Sequence, residues 1–167
     1  AAVEAANAAV IEAALNGLGK PGMGCTATCA YIENDTLAIA HVGDSRAYLL
    51  HEGTLIRVTR DHSYVEELVD AGEITADEAR VHPNRSVITR ALGSDPAMYA
   101  DHFTLHIEEG DRLILCSDGL SSMIPDSDIE NIATQSSTAQ ICVDNLVDAA
   151  LAAGGHDNVT VVVVDLV

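Results

Sequence analysis

The sequence predicts an α+β fold in which helices pack on antiparallel sheets. Three observations indicate this class. Short apolar segments joined by tight turns follow an opening helix, helical patterns dominate the later part of the chain, and one β-branched strand closes it. At 167 residues the chain is long enough to bury a hydrophobic core. We therefore expect residues 1–167 to form a single domain.

One helix and a series of strands are predicted in the first third of the chain. Residues 1–15 are rich in alanine and contain no proline or glycine, which favours a helix. Turn residues then separate four segments of strand character, CTATCAYI, TLAIAHV, RAYLLHE and TLIRVT. Short strands with tight turns of this kind are typical of an antiparallel meander.

Helix signals follow at several places. Residues 63–72 predict a helix that ends on a glycine, and Thr75 with Glu78 predicts a capping box at the start of another. Ser127 with Glu130 predicts a third helix start of the same type. The stretch 137–155 predicts a longer helix that stops at a pair of glycines. The apolar residues expected on its buried face are Ile141, Leu146, Val147, Ala150 and Leu151.

Three further strands complete the predicted sheets. DHFTLHI alternates apolar and polar residues, so we expect a half-buried strand with Phe103 and Leu105 facing inward. RLILC is continuously apolar and predicts a fully buried strand. NVTVVVVDLV predicts the last strand, and its β-branched run favours a position at the centre of a sheet.

Composition excludes several classes of function. Lys plus Arg is 8 and Asp plus Glu is 26, so the formal net charge is 8 − 26 = −18. Nucleic acid is excluded as a partner, because that binding needs basic residues against phosphates. The four cysteines form no CxxC pair and lie among apolar or small residues, which predicts buried free thiols. Free thiols indicate a reducing, cytoplasmic location.

Three aspartates occur where a predicted strand meets a loop. Asp44 follows LAIAHVG, Asp118 follows LILCS, and Asp157 precedes NVTVVVV. Loop carboxylates held by rigid strands are a common way to build an oxygen-ligand metal site. Aspartate at a turn also binds nearby backbone N–H groups and needs no metal to do so. The residues alone leave both roles open, and a metal role requires the three to converge.

Four motifs together resemble a known family. GMGCTATCAYI, LAIAHVGDSRAYLL, LILCSDGLSSMI and GGHDNVTVVVV occur in the order and approximate spacing of the metal-dependent protein phosphatases of type 2C. The resemblance is closest to the bacterial serine/threonine phosphatases of that family and covers nearly the whole chain. It implies two antiparallel β-sheets sandwiched between helix layers, an αββα arrangement.

The resemblance also implies a site and a reaction. Asp118 resembles a ligand of the first and third metal ions, Asp157 a ligand of the first, and Asp44 a ligand of the third. Two Mn²⁺ or Mg²⁺ ions, and possibly a third, are expected in the intact domain. A hydroxide bridging two of the ions would attack phosphorus in line. The implied substrates are phosphoserine and phosphothreonine proteins, including a serine/threonine kinase and its targets. Residues 61–90 resemble the family's flap.

The family pattern begins earlier than this chain does. Its first strands and its DG-x-GGH turn, which supplies a bridging aspartate, have no counterpart here. We therefore expect an N-terminally incomplete domain that is a truncated, weakly active or inactive piece of a phosphatase. Exposed sheet edges are expected to favour a homodimer. The alternative is a non-catalytic phosphoprotein-binding or regulatory domain derived from the same fold.

Overall fold

The predicted α+β class, with two antiparallel sheets and helices, is confirmed by a computed structural model that describes all residues 1–167. None of its helices combines the length and the apolar character needed to cross a bilayer. The elements in chain order are α1 Ala2–Leu15, β1 Ala27–Glu33, β2 Thr36–Val42, β3 Arg46–His51, β4 Thr54–Arg57, α2 Tyr64–Asp70, α3 Ala76–Val81, β5 Asp101–His106, β6 Arg112–Cys116, α4 Asp118–Ser121, α5 Asp126–Gln135, α6 Ala139–Ala152 and β7 Val161–Asp165.

The strands form one sheet of three and one sheet of four. The strand orders are β1-β2-β5 and β4-β3-β6-β7. In the four-stranded sheet every neighbouring pair is antiparallel. Cys116 at the end of β6 pairs with Val161 at the start of β7. This register places the loop that leaves β6 beside the loop that enters β7.

The chain forms two compact units. The first contains Ala1–Tyr31, Ala38–Asp44 and Asp61–Phe103, and the second contains Ile32–Leu37, Ser45–Arg60 and Thr104–Val167. The apolar core of the first unit comprises Val3, Val42, Leu92, Met98 and Ala100. Within this unit the segment 61–90 is closed by backbone hydrogen bonds from Thr89 N to His62 O, 2.8 Å, and from Tyr64 N to Val87 O, 2.9 Å.

The core of the second unit lies between its sheet and helices α5 and α6. Tyr48 and Ile114 are fully buried on the sheet, and Cys142, Leu146 and Ala150 are fully buried on α6. The predicted buried strand RLILC is β6, and four of its five residues are buried. The predicted half-buried strand is β5, whose residues alternate between exposed and partly buried. Both strand predictions are confirmed.

The prediction for the last strand was wrong in one respect. β7 lies at the edge of its sheet and pairs only with β6, rather than occupying a sheet centre. Val162 and Val164 on this strand are 48% and 36% exposed. A β-branched run indicates a strand because such side chains suit a pleated surface, but it does not specify how many neighbours the strand has.

The buried face predicted for helix α6 is confirmed in part, because Leu146 and Ala150 are fully buried as expected. The buried residues Cys142, Leu146 and Ala150 recur every four positions, whereas Ile141 and Leu151 are 43% and 56% exposed. The helix is therefore rotated from the face that its largest apolar residues indicated.

One of the two predicted capping boxes is present. Thr75 and Glu78 form the complete box at the start of α3. The box predicted from Ser127 and Glu130 is absent, because α5 begins at Asp126 after Pro125 and has no side-chain cap. Glu130 instead accepts a hydrogen bond from the backbone N–H of Leu55 at 2.8 Å.

The cysteine prediction was correct for half of the thiols. All four cysteines are free, and Cys116 and Cys142 are buried. Cys25 and Cys29 are exposed. Cys29 lies on β1, an edge strand on which five consecutive residues are exposed, so the apolar neighbours of this cysteine do not form a core.

Candidate metal centre

Asp118 lies at the junction of the most buried strand of the second unit and a short helix. It follows β6 after one residue and opens α4, which spans only Asp118–Ser121. Asp118 is partly buried, and the two residues after it, Gly119 and Leu120, are buried. Leu120 has no exposed surface and belongs to the same core as Ile114 of β6. The carboxylate is therefore carried by backbone that is anchored on both sides.

Asp157 lies on the loop between α6 and β7. Its side chain is exposed, and its Oδ1 accepts a hydrogen bond from the backbone N–H of Asn158 at 2.7 Å. This is the local turn bond that the sequence allowed for an aspartate at such a position. The bond occupies one lone pair of the carboxylate, and a carboxylate has about four sites for hydrogen bonds or cations.

Ser117 joins the Asp118 and Asp157 loops by three hydrogen bonds. Its backbone N–H donates to Thr160 O at 3.0 Å. Its Oγ accepts from Thr160 N at 3.0 Å and donates to Asn158 O at 3.2 Å. The residue before Asp118 is thus bonded to the first and third residues after Asp157. Both loops belong to the second unit, and these hydrogen bonds hold them next to each other.

Gly119 is required by the same close approach. A Cβ at this position would lie 2.3 Å from the Asn158 carbonyl oxygen and 3.3 Å from the Val159 Cα. Only a residue without a side chain fits there, since carbon atoms of real side chains essentially never approach other atoms within 3.0 Å. Gly119 is helical and not left-handed, so its role is to admit the neighbouring loop.

Asp44 lies in the first unit, directly after the Gly43 turn that ends β2. Gly43 has a φ of 111° and packs against Thr26, which leaves no space for a side chain. His62 holds this turn twice: its backbone N–H donates to Gly43 O at 2.7 Å, and its Nδ1 accepts from Gly43 N at 3.0 Å. The backbone before Asp44 is therefore fixed by a histidine 18 residues further along the chain.

A charged network surrounds that histidine. Because Nδ1 of His62 accepts a hydrogen bond, the ring proton lies on Nε2, which donates to Asp101 Oδ2 at 3.0 Å. Arg90 donates to the other oxygen of Asp101 at 2.7 Å. Partial burial acts to raise the pKa of Asp101, but the hydrogen bonds from His62 and Arg90 outweigh it and hold that pKa below its ordinary value. Arg90 also stacks over the ring of Tyr99.

The donor chemistry of the predicted residues suits a hard divalent cation. Asp118 and Asp157 offer carboxylate oxygens from two loops that are bonded to each other, and such oxygens are what Mn²⁺ and Mg²⁺ prefer. The chain contains no group of three or more His, Cys, Asp or Glu side chains placed to hold a metal ion. Asp118 and Asp157 lie in the second unit, and Asp44 lies in the first.

This fold and these motifs identify the family. Residues 10–159 match the family Protein phosphatase 2C. The match covers well over half of the chain, and the chain belongs to this family. It includes the last part of α1, strands β1 to β6, and the loops that carry Asp44, Asp118 and Asp157.

Individual relatives agree with this assignment. The serine/threonine phosphatase stp of Listeria welshimeri is 40% identical over 144 residues, which cover 86% of this chain and 57% of that protein. The crystal structure of the serine/threonine phosphatase Stp1 from Staphylococcus aureus has a TM-score of 0.92 and 33% identity, and covers 99% of this chain. A structure of the catalytic domain of PstP in complex with two manganese ions has a TM-score of 0.88 and 38% identity, over 98% of this chain.

The chain is shorter than each of these proteins. It spans 57% of the Listeria phosphatase, 65% of the Staphylococcus structure and 68% of the PstP structure. The comparisons therefore show the family of the chain and not the activity of a whole phosphatase.

Three residues that support the candidate site were missed from the sequence. Ser117 and Asn158 bond to each other across 41 residues, and no local pattern reports a contact at that separation. No local pattern predicts that His62 bonds to the Gly43 turn, 19 residues before it. A serine between a buried strand and a helix start would ordinarily be assigned as a helix cap, so its actual partners were not recognisable.

Proposed function

We propose that this chain is part of a metal-dependent phosphoserine/phosphothreonine protein phosphatase, with residues 1–167 forming one type 2C domain. The single observation that supports this most is the bonding of the Asp118 loop to the Asp157 loop through Ser117. A turn role for each aspartate does not require the two loops to meet. Family membership and the manganese ions of the PstP structure favour the same reading.

The proposed ligands are Asp118, Asp157 and Asp44, with Mn²⁺ or Mg²⁺ as the cation. Two ions, and possibly three, are proposed for the intact domain, with Asp118 and Asp157 on the first and Asp118 and Asp44 on the third. When bound, such cations lower the pKa of a coordinated water and so supply the nucleophile for in-line hydrolysis of the phosphate ester. The chain's own contribution is to fix the carboxylates on rigid backbone and to leave Asp157 exposed to incoming cations and substrate.

The proposed substrates are phosphorylated proteins, among them a serine/threonine kinase and its targets. The net charge of −18 repels a phosphorylated segment, so cations held at the site would also offset this repulsion locally. Segment 61–90, with α2 and α3, is proposed as the flap that controls substrate access. Four free cysteines favour a cytoplasmic location, where thiols stay reduced.

Calorimetric titration with Mn²⁺ tests the ligand assignment. Asp118→Ala is expected to weaken Mn²⁺ binding by about tenfold or more, because it removes one charged ligand from an incomplete set. The titration is run at raised ionic strength, which screens the acidic surface. Asp148→Ala on helix α6 removes a charge outside the site and serves as the control. Equal Mn²⁺ binding by Asp118→Ala and the unaltered chain would refute the assignment.

Hydrolysis of a phenyl phosphate ester with Mn²⁺ tests the activity of the chain itself. We expect slow turnover, because the described residues include no group of three acidic or imidazole side chains placed around an ion. Turnover at rates ordinary for a phosphatase would contradict this expectation. Binding of phosphoproteins without any turnover, also after the missing family segments are added, would favour the alternative of a non-catalytic binding domain.

We also propose that two copies pair through exposed sheet edges. β1 and β7 are edge strands, with Tyr31 63% exposed on one and Val162 48% exposed on the other. Like charge on both copies opposes association, so pairing should strengthen as salt is added. Sedimentation equilibrium at low and high salt tests this, and a monomer under both conditions would exclude it.

A further inference from the structure

We propose that Ser117 is a positioning residue whose hydroxyl fixes the Asp118 loop against the Asp157 loop and thereby sets the separation of the two carboxylates. The expected effect of Ser117 on metal binding rests on the proposed metal function. Ser117 itself is not a ligand, and its effect on the loops can be measured without any metal.

The hydroxyl of Ser117 does not cap helix α4, although Ser117 occupies its N-cap position. Ser117 is the N-cap of α4, and an N-cap hydroxyl normally accepts a hydrogen bond from the first turn of its own helix. Three helices of this chain show that ordinary use, at Ser63, Thr75 and Thr138. Ser117 makes no such bond. Its oxygen is committed to Asn158 and Thr160 on the other loop.

The hydroxyl of Ser117 acts both as a donor and as an acceptor in this contact. A serine hydroxyl has one donor and two lone pairs. Ser117 donates to Asn158 O at 3.2 Å and accepts from Thr160 N at 3.0 Å, so it bridges two backbone groups of the turn that follows Asp157. Without the hydroxyl, only the backbone bond from Ser117 N to Thr160 O would remain between these residues.

Gly119 sets how closely the two loops can approach, and Ser117 limits how far they can separate. The Asn158 carbonyl lies against Gly119, and this van der Waals contact sets how closely the loops can approach. Steric contact cannot prevent the loops from separating. The hydrogen bonds of Ser117 supply that restraint, so the serine and the glycine on either side of Asp118 together determine one distance.

Three variants separate this role from a general effect on stability. Ser117→Ala removes the bridging hydroxyl, and Ser117→Thr keeps a hydroxyl on the same carbon. Thr138→Ala removes an ordinary N-cap bond to Ile141 N on α6 and is the matched control. Each variant is examined for amide exchange of Thr160, for Mn²⁺ affinity and for its denaturant midpoint.

The expected results differ among the three proteins. Ser117→Ala should accelerate exchange of the Thr160 amide and weaken Mn²⁺ binding by about tenfold, the lower end of what loss of an outer-shell partner causes. Ser117→Thr should restore both properties. Thr138→Ala should lower the denaturant midpoint and leave Mn²⁺ affinity unchanged.

The outcomes that overturn the inference are distinct from those that overturn the proposed function. Exchange of Thr160 that is the same in Ser117→Ala and the unaltered chain would overturn the positioning role. Where the unaltered chain binds Mn²⁺, unchanged affinity in Ser117→Ala or an equal loss in Thr138→Ala would overturn it as well. If the unaltered chain binds no Mn²⁺ while Ser117→Ala still accelerates Thr160 exchange, the metal function fails and the positioning of the loops stands.

Discussion

Replacing Gly119 by alanine should separate the two loops of the candidate site. The added Cβ would lie 2.3 Å from Asn158 O and 2.9 Å from the carbon of that carbonyl. The Asn158 turn would have to move by about 1 Å to reach an ordinary non-bonded distance of about 3.5 Å. That movement stretches the two hydrogen bonds that join the Ser117 hydroxyl to this turn, at present 3.0 Å and 3.2 Å.

The free energy of unfolding should fall by about 3 kcal/mol. Overpacking of this kind costs about 2 kcal/mol, and the two weakened hydrogen bonds cost about 1 kcal/mol each. The higher helix propensity of alanine offsets about 1 kcal/mol of this loss. Because the same movement displaces the loop of Asp157, Mn²⁺ affinity should fall together with stability.

Denaturant unfolding and Mn²⁺ titration of Gly119→Ala measure these two effects. Ser122→Ala, at the end of the same helix α4, is the control and should change stability by less than about 0.5 kcal/mol. A Gly119→Ala protein with unchanged stability and unchanged Mn²⁺ affinity would refute the close approach of the loops on which the candidate site depends.

Three further predictions concern the framework of the two units. Arg112→Met should lower the free energy of unfolding by about 3 kcal/mol in denaturant melts, because this buried guanidinium bonds to Asp165 and to two backbone carbonyls beyond the sheet. Asn7→Ala should cost about 2 kcal/mol by the same measurement, since the buried amide bonds loop 93–95 at both ends. The hydrogen bond that His51 Nδ1 donates to the Asp111 carboxylate raises the pKa of His51, so the stabilisation by this pair should be complete below a pH of about 6.5 and be lost as the pH rises through the raised pKa. Melts of His51→Gln and the unaltered chain should therefore converge as the pH rises.

Each of these has a result that would contradict it. Equal melts for Arg112→Met and Arg85→Met would count against the first, because Arg85 is exposed and serves as the control. For the second, unchanged amide exchange in loop 93–95 would show that Asn7 does not hold it. A difference between His51→Gln and the unaltered chain that grows with rising pH would reverse the sign argued for the third.

Secondary structure followed from the sequence where local pattern determines it. β5 alternates apolar and polar residues, and β6 is a short apolar run between turn residues, so both were predictable from spacing alone. The capping box of Thr75 was predictable because all of its atoms lie within four residues. In these three features the structure is the one that neighbouring residues in the sequence predict.

Tertiary packing decided the features that the sequence did not reveal. The buried face of α6 was predicted only in part, because the structure buries Cys142 in line with Leu146 and Ala150 and leaves the larger Ile141 and Leu151 exposed. The cap expected at Ser127 failed because the N-cap position of α5 is Pro125, two residues earlier. The edge position of β7 depends on which strands are its neighbours and not on its own residues.

The candidate site was predictable as a set of residues and not as a geometry. Asp118 and Asp157 were recognisable because each lies where a strand meets a loop. Their supports were not, because Ser117 reaches Asn158 across 41 residues of chain. Gly119 is needed because the Asn158 carbonyl of the other loop lies against it, and not because its own backbone turns. This contact between distant residues could not be predicted from the sequence either.

The most direct test of the central claim is the pattern of amide signals broadened by Mn²⁺ in a nuclear magnetic resonance titration of the 167-residue chain. Mn²⁺ broadens signals steeply with proximity, so the first amides lost locate the bound ion. If Asp118 and Asp157 hold one cation, residues 117–120 and 157–160 should broaden together at the lowest Mn²⁺ level. Broadening that begins in only one of these loops, or on the acidic helices α2 and α5, would contradict a shared site.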